Sequence, residues 1–187
     1  MNIVLASQSP RRRELLKRIL PDFTVHPANI PEILPKEINP AKAAEFLSCQ
    51  KACAAAQETG ADYTIGCDTA VVLDKKILGK PANKTDAFFM LKELSGKKHT
   101  VYTGVCIVAP EDSVIFTESA DVWFSELSDK EIRRYIDSGE PMDKAGAYDG
   151  IQGLGSCFVR RIEGDFFSVV GLPVCRLYEE LKKLKLF

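Results

Sequence analysis

One carboxylate in this sequence stands where two apolar segments meet. Asp68 follows the strand-like residues 63–67 and precedes a second strand-like run, residues 70–73, with Thr69 beside it. A carboxylate with a hydroxyl neighbour at such a junction can bind Mg²⁺ or orient a water. An aspartate whose side chain bonds to the backbone of its own turn is an alternative of equal weight from these residues alone.

A second segment has the features of an anion-binding site. Ser9 followed by Pro10 is a strong helix start, because the hydroxyl caps the first turn and proline suits the first helical position. Ser7 precedes this start, and three consecutive arginines, residues 11–13, follow it. The free N–H groups of a helix start attract anions, and guanidinium groups bind phosphate oxygens in pairs. A solvated basic turn is the alternative.

Three further residues are ambiguous on their own. Lys80 stands between a glycine and a proline, where it could meet a phosphate as a point charge, and Glu32 lies in a proline-rich connection. Gln152 offers both a donor and an acceptor to a base edge, in a segment with four glycines within ten residues. A surface lysine and a long surface loop are the respective alternatives.

The combination of these groups favours metal-assisted phosphate chemistry over acyl transfer. Several cations and acids occur together, whereas His26 and His99 stand in no ligand-like cluster and no nucleophile is evident. The segment around Ser9 is not a P-loop, because the pattern G-x-x-x-x-G-K-[ST] is absent from the sequence.

Local signals place these segments on a mixture of helices and strands. The sequence predicts helices from Pro10, from Pro40, after Asn83, after the capping box at Ser128, and from Pro173. It predicts strands at residues 2–6, 63–67, 70–73, 100–109 and 119–124, and a hairpin of residues 157–162 and 166–170 that turns at Gly164-Asp165. Because strict βαβ alternation is lacking, we expect an α/β fold with a mixed sheet.

The composition of the chain limits its expected domain number, partners and location. The chain has 187 residues, which we take as a single domain, residues 1–187, and a net charge of −1. This balance predicts neither nucleic acid nor an anionic membrane as a partner, and no run approaches the roughly 18 apolar residues of a membrane helix. The six cysteines are scattered through apolar contexts, which predicts buried, reduced thiols and hence a cytoplasmic location. A homodimer is allowed but not required.

Taken together, these segments resemble the Maf family of nucleoside triphosphate pyrophosphatases. The resemblance runs in order along nearly the whole chain, so chance similarity is excluded by the number of matching blocks. Its main blocks are residues 5–13, 50–52, 66–69, 78–81, 94–96, 138–148, 151–153 and 170–173.

The resemblance implies a fold shared with inosine triphosphate pyrophosphatases, an elongated mixed sheet with flanking helices and two lobes around a nucleotide cleft. It also implies cleavage between the α- and β-phosphates of a nucleoside triphosphate with a divalent cation, Mg²⁺ or Mn²⁺. By the same resemblance, Asp68 is the general base and a metal ligand, and Glu32 is a metal-side carboxylate. The implied phosphate contacts are Ser7, Arg12, Lys51 and Lys80.

Base preference also follows from the resemblance. Arg11, Thr69 and Gln152 match positions that mark the branch acting on dTTP and UTP, whereas the branch acting on 7-methyl-GTP differs there. Two departures from the family pattern are Pro31 beside Glu32, where two adjacent acids are common, and one additional residue near Asp149. The alternatives are the same chemistry on a modified guanine nucleotide and a nucleotide-binding regulator of cell division without catalysis.

Overall fold

In a computed structural model of the chain, Asp68 lies inside one long strand rather than between two. The structure describes residues 1–149 and 153–187. Tyr63–Leu73 is continuous, so the predicted break at Asp68 is wrong. Aspartate is disfavoured in strands by intrinsic preference, but its contacts in the folded protein override that preference. Here an ion pair with Lys51 holds the carboxylate.

The helices and strands follow one another without a regular alternation, as the sequence predicts. No helix within the described ranges is long and apolar enough to cross a membrane. The strands are β1 (Ile3–Leu5), β2 (Thr24–Val25), β3 (Tyr63–Leu73), β4 (Lys76–Leu78), β5 (Lys98–Val108), β6 (Val114–Phe124) and β7 (Val159–Gly164). The helices are α1 (Pro10–Lys17), α2 (Ala43–Thr59), α3 (Lys84–Leu94), α4 (Asp129–Asp137), α5 (Phe166–Val170) and α6 (Val174–Lys183).

The sheet is mixed. Within the part of the chain that the structure describes, seven strands form one sheet in the order β2-β1-β3-β5-β6-β7, and β4 pairs with β3. Strand β1 runs parallel to β2 and β3, whereas β4 is antiparallel to β3 and β7 is antiparallel to β6. The expected α/β fold with a mixed sheet is therefore confirmed.

Three of the five predicted helix starts are confirmed by capping hydrogen bonds, whereas α2 begins at Ala43, after a 3-10 turn at Pro40–Lys42, and α6 begins at Val174, both without a side-chain cap. The side chain of Ser9 accepts from the backbone N–H of Arg12, and that of Asn83 accepts from Asp86. Ser128 and Glu131 form both halves of a capping box at the start of α4. These bonds join residues three apart, so short stretches of sequence are enough to encode them.

The predicted hairpin near the C-terminus is wrong. Strand β7 is present but pairs with β6, and residues 166–170 form helix α5 instead of a second strand. Asp165 starts this helix, because its carboxylate accepts hydrogen bonds from the backbone N–H of Phe167 at 2.8 Å and from the hydroxyl of Ser168 at 3.1 Å. A five-residue apolar run fits a buried helix as well as a strand, so its pattern does not decide between them.

The expectation of buried thiols holds for only part of the set. Cys67 and Cys106 are buried, Cys49 is half-buried, and the other three cysteines are exposed. Cys49 and Cys53 lie on the alanine-rich helix α2, where small apolar residues occur on every side. The sequence pattern therefore does not show which side of this helix faces the interior.

The first of two compact units comprises residues 1–69, 103–118 and 171–187. In this unit, helix α2 lies directly against two strands at two glycines. A Cβ atom on Gly66 of β3 would lie 2.7 Å from the backbone nitrogen of Ala52, and one on Gly104 of β5 would lie 2.5 Å from the carbonyl carbon of Ala44. Only glycine permits this approach, so these two positions fix where α2 lies on the sheet.

The second unit comprises residues 70–102 and 119–170 and has an aromatic core. The rings of Phe124 and Tyr148 pack edge to face at 4.8 Å, and His99 contacts both of them. His99 is buried, and its Nε2 shares a 2.6 Å hydrogen bond with the hydroxyl of Tyr148. Burial lowers the pKa of His99 from 6.5 to about 4, which the charge of Asp121 opposes only in part.

Protonation of His99 predicts acid sensitivity of the fold. Because its pKa is lower in the folded chain than in the unfolded chain, the unfolded chain binds the proton first as pH falls. The stability that neutral His99 provides is complete above pH 6.5 and is lost as pH falls toward 4. The loss amounts to about 3 kcal/mol of unfolding free energy.

Urea unfolding between pH 7 and 4 measures this effect in wild type, His99→Gln and His26→Gln. We expect a smaller decline for His99→Gln than for wild type, and His26→Gln, which removes the other histidine of the chain, is the control. Equal pH slopes in wild type and His99→Gln would contradict the prediction.

Candidate functional site

One ammonium group holds two carboxylates in the first unit. The Nζ atom of Lys51 lies 2.7 Å from Oε1 of Glu32 and also donates a hydrogen bond to Oδ1 of Asp68. The side chains of Lys51 and Asp68 are only 11% and 12% exposed, whereas that of Glu32 is 42% exposed. The positive charge thus separates a buried acid from one that faces solvent, and it offsets their mutual repulsion.

The helix that carries Lys51 is fixed close to Asp68 by packing. Alanine-rich sequences favour helix formation, and α2 runs without a break until Gly60, whose left-handed conformation ends it. Gly66 lets the backbone of α2 touch β3 only two residues before Asp68. Helix α2 and strand β3 therefore bring a lysine and an aspartate together that are 17 residues apart.

Arg12 joins the start of α1 to strand β3. Its Nη1 donates to the carbonyl oxygen of Cys67 at 2.7 Å, and its Nη2 donates to Oγ1 of Thr69 at 3.1 Å. These two acceptors belong to the residues on either side of Asp68. A longer bond of 3.4 Å links Nη1 to the hydroxyl of Ser7. The planar guanidinium thus holds the backbone before the carboxylate and the side chain after it.

A third segment of the chain meets Arg12 at a glycine. The carbonyl oxygen of Gly171 accepts from Nε of Arg12 at 2.9 Å and from the thiol of Cys67 at 3.1 Å. Burial raises the pKa of Cys67 to about 11, so the thiol is protonated near neutral pH and is a donor. Gly171 has a φ of +118°, a backbone conformation that other residues rarely adopt. The region after α5 is thereby attached to the site.

The hydroxyl of Thr69 has a second contact deeper in the unit. Its Oγ1 lies 3.0 Å from Oγ1 of Thr103 on β5, and Thr103 is completely buried. Arg12, Thr69 and Thr103 therefore form a continuous chain of hydrogen bonds from helix α1 to strand β5.

Most of the predicted site residues belong to the first unit. Ser7 is buried, and its hydroxyl accepts from the backbone N–H of Ser9 at 3.2 Å. Arg11 is half-buried in the first turn of α1. Lys80 belongs to the second unit, where it is exposed, and the carbonyl of the preceding Gly79 accepts from Gly146 at 3.0 Å. Gln152 lies outside the described residues, so its predicted role stays a prediction.

Sequence reasoning misses two groups of this network. Thr103 lies in the middle of strand β5, which also contains Thr100, so no pattern singles it out, and the carbonyl of Gly171 belongs to the backbone. The block of residues 170–173 contributes to the family resemblance, and this resemblance is the signal that the sequence gives for the segment. Its contact with Arg12 spans 159 residues, so no local pattern encodes it.

Comparisons with known proteins identify the family of the chain. A family model described as "Maf-like protein" matches residues 2–184. A protein of Koribacter versatilis named "dTTP/UTP pyrophosphatase" is 48% identical over 183 residues, which are 98% of this chain and 94% of the relative. A protein of Carboxydothermus hydrogenoformans with the same name is 50% identical over 185 residues, covering 98% of each chain.

A solved structure supports the fold. The structure described as a HAM1 protein from Coxiella burnetii aligns over 98% of this chain and 99% of its own length, with a TM-score of 0.54. The two sequences are 15% identical, so the likeness concerns the fold.

Replacement of Arg12 by lysine tests the network. Lysine keeps the charge but cannot donate from three nitrogens in one plane, so the contacts with Cys67, Thr69 and Gly171 cannot all survive. We expect Arg12→Lys to lower the free energy of unfolding by about 2 kcal/mol or more, measured in urea. Arg13→Lys is the matched control, because Arg13 is exposed on the same helix. Equal stabilities of the two variants would show that the network contributes nothing.

Proposed function

Because the chain belongs to the Maf-like protein family, we propose that it is a pyrophosphatase that hydrolyses dTTP and UTP to the nucleoside monophosphate and pyrophosphate. The names of relatives that match it over nearly their full length support both the reaction and the substrates. One structural observation carries the proposal: a buried aspartate, Asp68, is held by Lys51 and flanked by the contacts of Arg12.

Asp68 is suited to act on a water. Only its Oδ1 bonds to Lys51, and within residues 1–149 and 153–187 its other carboxylate oxygen has no hydrogen-bond partner. That oxygen can accept a proton from the attacking water while the first stays fixed. The two neighbours of Asp68 are bonded to Arg12, so the carboxylate changes position little during the reaction.

The residues present fit a divalent cation. Mg²⁺ is commonly bound by one or two carboxylates together with water and substrate phosphates. Asp68 and Glu32 meet at the same ammonium group, which makes them a pair of oxygen donors of this kind. In the described ranges, no cluster of three or more His, Cys, Asp or Glu residues could hold a metal. When bound, Mg²⁺ or Mn²⁺ would supply positive charge against the phosphate oxygens.

The remaining polar groups fit the anionic substrate. Hydrolysis between the α- and β-phosphates requires in-line attack and leaves negative charge on the departing pyrophosphate. Lys51 and Arg12 provide positive charge beside Asp68, and Ser7 provides a hydroxyl near the start of α1. Arg11 and Thr69 remain our candidates for base preference. A cytoplasmic location is part of the proposal.

The isosteric substitution Asp68→Asn tests the assigned role. It keeps the shape of the side chain but removes the basic oxygen and a negative ligand, so we expect pyrophosphate release from dTTP to fall roughly 10²- to 10⁴-fold. The control is Asp137→Asn, which removes an exposed carboxylate that is also paired with a lysine, Lys84. A rate for Asp68→Asn close to that of wild type would show that the catalytic carboxylate is elsewhere.

A substrate panel tests the activity itself. Pyrophosphate release is measured for dTTP, UTP, CTP, dATP and 7-methyl-GTP with Mg²⁺, with Mn²⁺, and with a chelator. We expect the highest kcat/KM for dTTP and UTP, with loss of turnover in the chelator and recovery on addition of Mg²⁺. Nucleotide binding without release would indicate a regulator, and preference for 7-methyl-GTP would contradict the proposed base preference.

A further inference from the structure

We propose that Thr103 is a positioning residue for the hydrolysis of dTTP and UTP, acting on Asp68 through Thr69 and Arg12. This inference rests on the proposed function. Thr103 is completely buried on β5, and no sequence pattern singles it out. Its Oγ1 lies 3.0 Å from Oγ1 of Thr69.

The contact fixes the orientation of a hydroxyl that borders the catalytic carboxylate. A threonine hydroxyl has one hydrogen to donate and two lone pairs. Oγ1 of Thr69 already accepts from Nη2 of Arg12, so the bond with Thr103 engages either its hydrogen or its second lone pair. In both cases the side chain of Thr69 is held from two directions and cannot rotate freely.

The effect reaches Asp68 through Arg12. The guanidinium bonds to Cys67 and Thr69, the residues directly before and after Asp68. If Thr69 loses its contact with Thr103, its hydroxyl is no longer held in place as the acceptor for Nη2 of Arg12. The carboxylate then has more freedom, and a base that is less well placed lowers the rate of the chemical step.

Two pairs of proteins isolate the hydroxyl of Thr103. Wild type and Thr103→Val differ by exchange of the hydroxyl for a methyl group of similar size. Thr103→Ser and Thr103→Ala both lack the methyl group and differ only by the hydroxyl. In each pair we expect the member without the hydroxyl to have a kcat for dTTP about 3- to 10-fold lower, because the hydrogen bond with Thr69 is lost. KM should change less than kcat, because the substrate does not touch Thr103 in this proposal.

A matched control lies on strand β3. Thr64 is completely buried like Thr103, but its Oγ1 has no hydrogen-bond partner within the described part of the chain. Thr64→Val therefore removes a buried hydroxyl without breaking a bond, and its kcat should lie within twofold of wild type. Thermal unfolding of every variant, measured beforehand, sets an assay temperature at which all are folded.

A double-mutant cycle with Thr69→Val tests whether Thr103 acts through Thr69. If Thr103 acts through Thr69, Thr103→Val lowers kcat in the wild-type background and has no further effect in Thr69→Val. Independent effects that add would overturn the inference. It would also be overturned if Thr103→Val lowered only the thermal midpoint, since that result indicates a structural role, or if Thr103→Ser lost as much kcat as Thr103→Ala.

The wild-type assay separates this inference from the proposed function. A wild-type chain that releases no pyrophosphate from dTTP or UTP overturns the proposed function and this inference together. An active wild type whose Thr103 variants keep full kcat overturns the role of Thr103 alone.

Discussion

The guanidinium of Arg12 is the interaction on which the geometry of the first unit depends. It bonds to Cys67 and Thr69 on one strand and to Gly171, which lies 159 residues away in the sequence. A charge removed from water is costly unless hydrogen bonds replace its hydration, and a planar group with five donors can bond to several acceptors at once. These bonds place the backbone around Asp68 before any substrate arrives.

Lys51 offsets the repulsion between two carboxylates of the site. Two carboxylates near one another repel. The ammonium group of Lys51 contacts both Glu32 and Asp68, so its positive charge offsets this repulsion. The close packing of α2 against Gly66 keeps that ammonium in reach of β3. Small residues at the helix–strand contact are thus as necessary to the site as its charged groups.

Sequence predicts the parts of this fold that are encoded locally. The helix starts at Ser9, Asn83 and Ser128 are predictable because each capping bond joins neighbours in the chain. The continuity of β3 through Asp68 is not predictable in this way, because it depends on Lys51, which lies on helix α2. The helix after Asp165 is also missed, since its short apolar run fits a strand equally well.

The folded chain gives the three arginines at the start of α1 an explanation that differs from the one the sequence favours. Positive charges there oppose the helix dipole, and from sequence alone this favours a bound anion. In the folded chain, backbone carbonyls of Cys67 and Gly171 accept from Arg12, so their dipoles offset part of this charge inside the protein. The arginine run is therefore explained partly by assembly of the site. Among the described residues, these bonds and those to Ser7 and Thr69 leave one N–H of Nη2, so in the proposed function Arg12 would act on phosphate mainly through its charge.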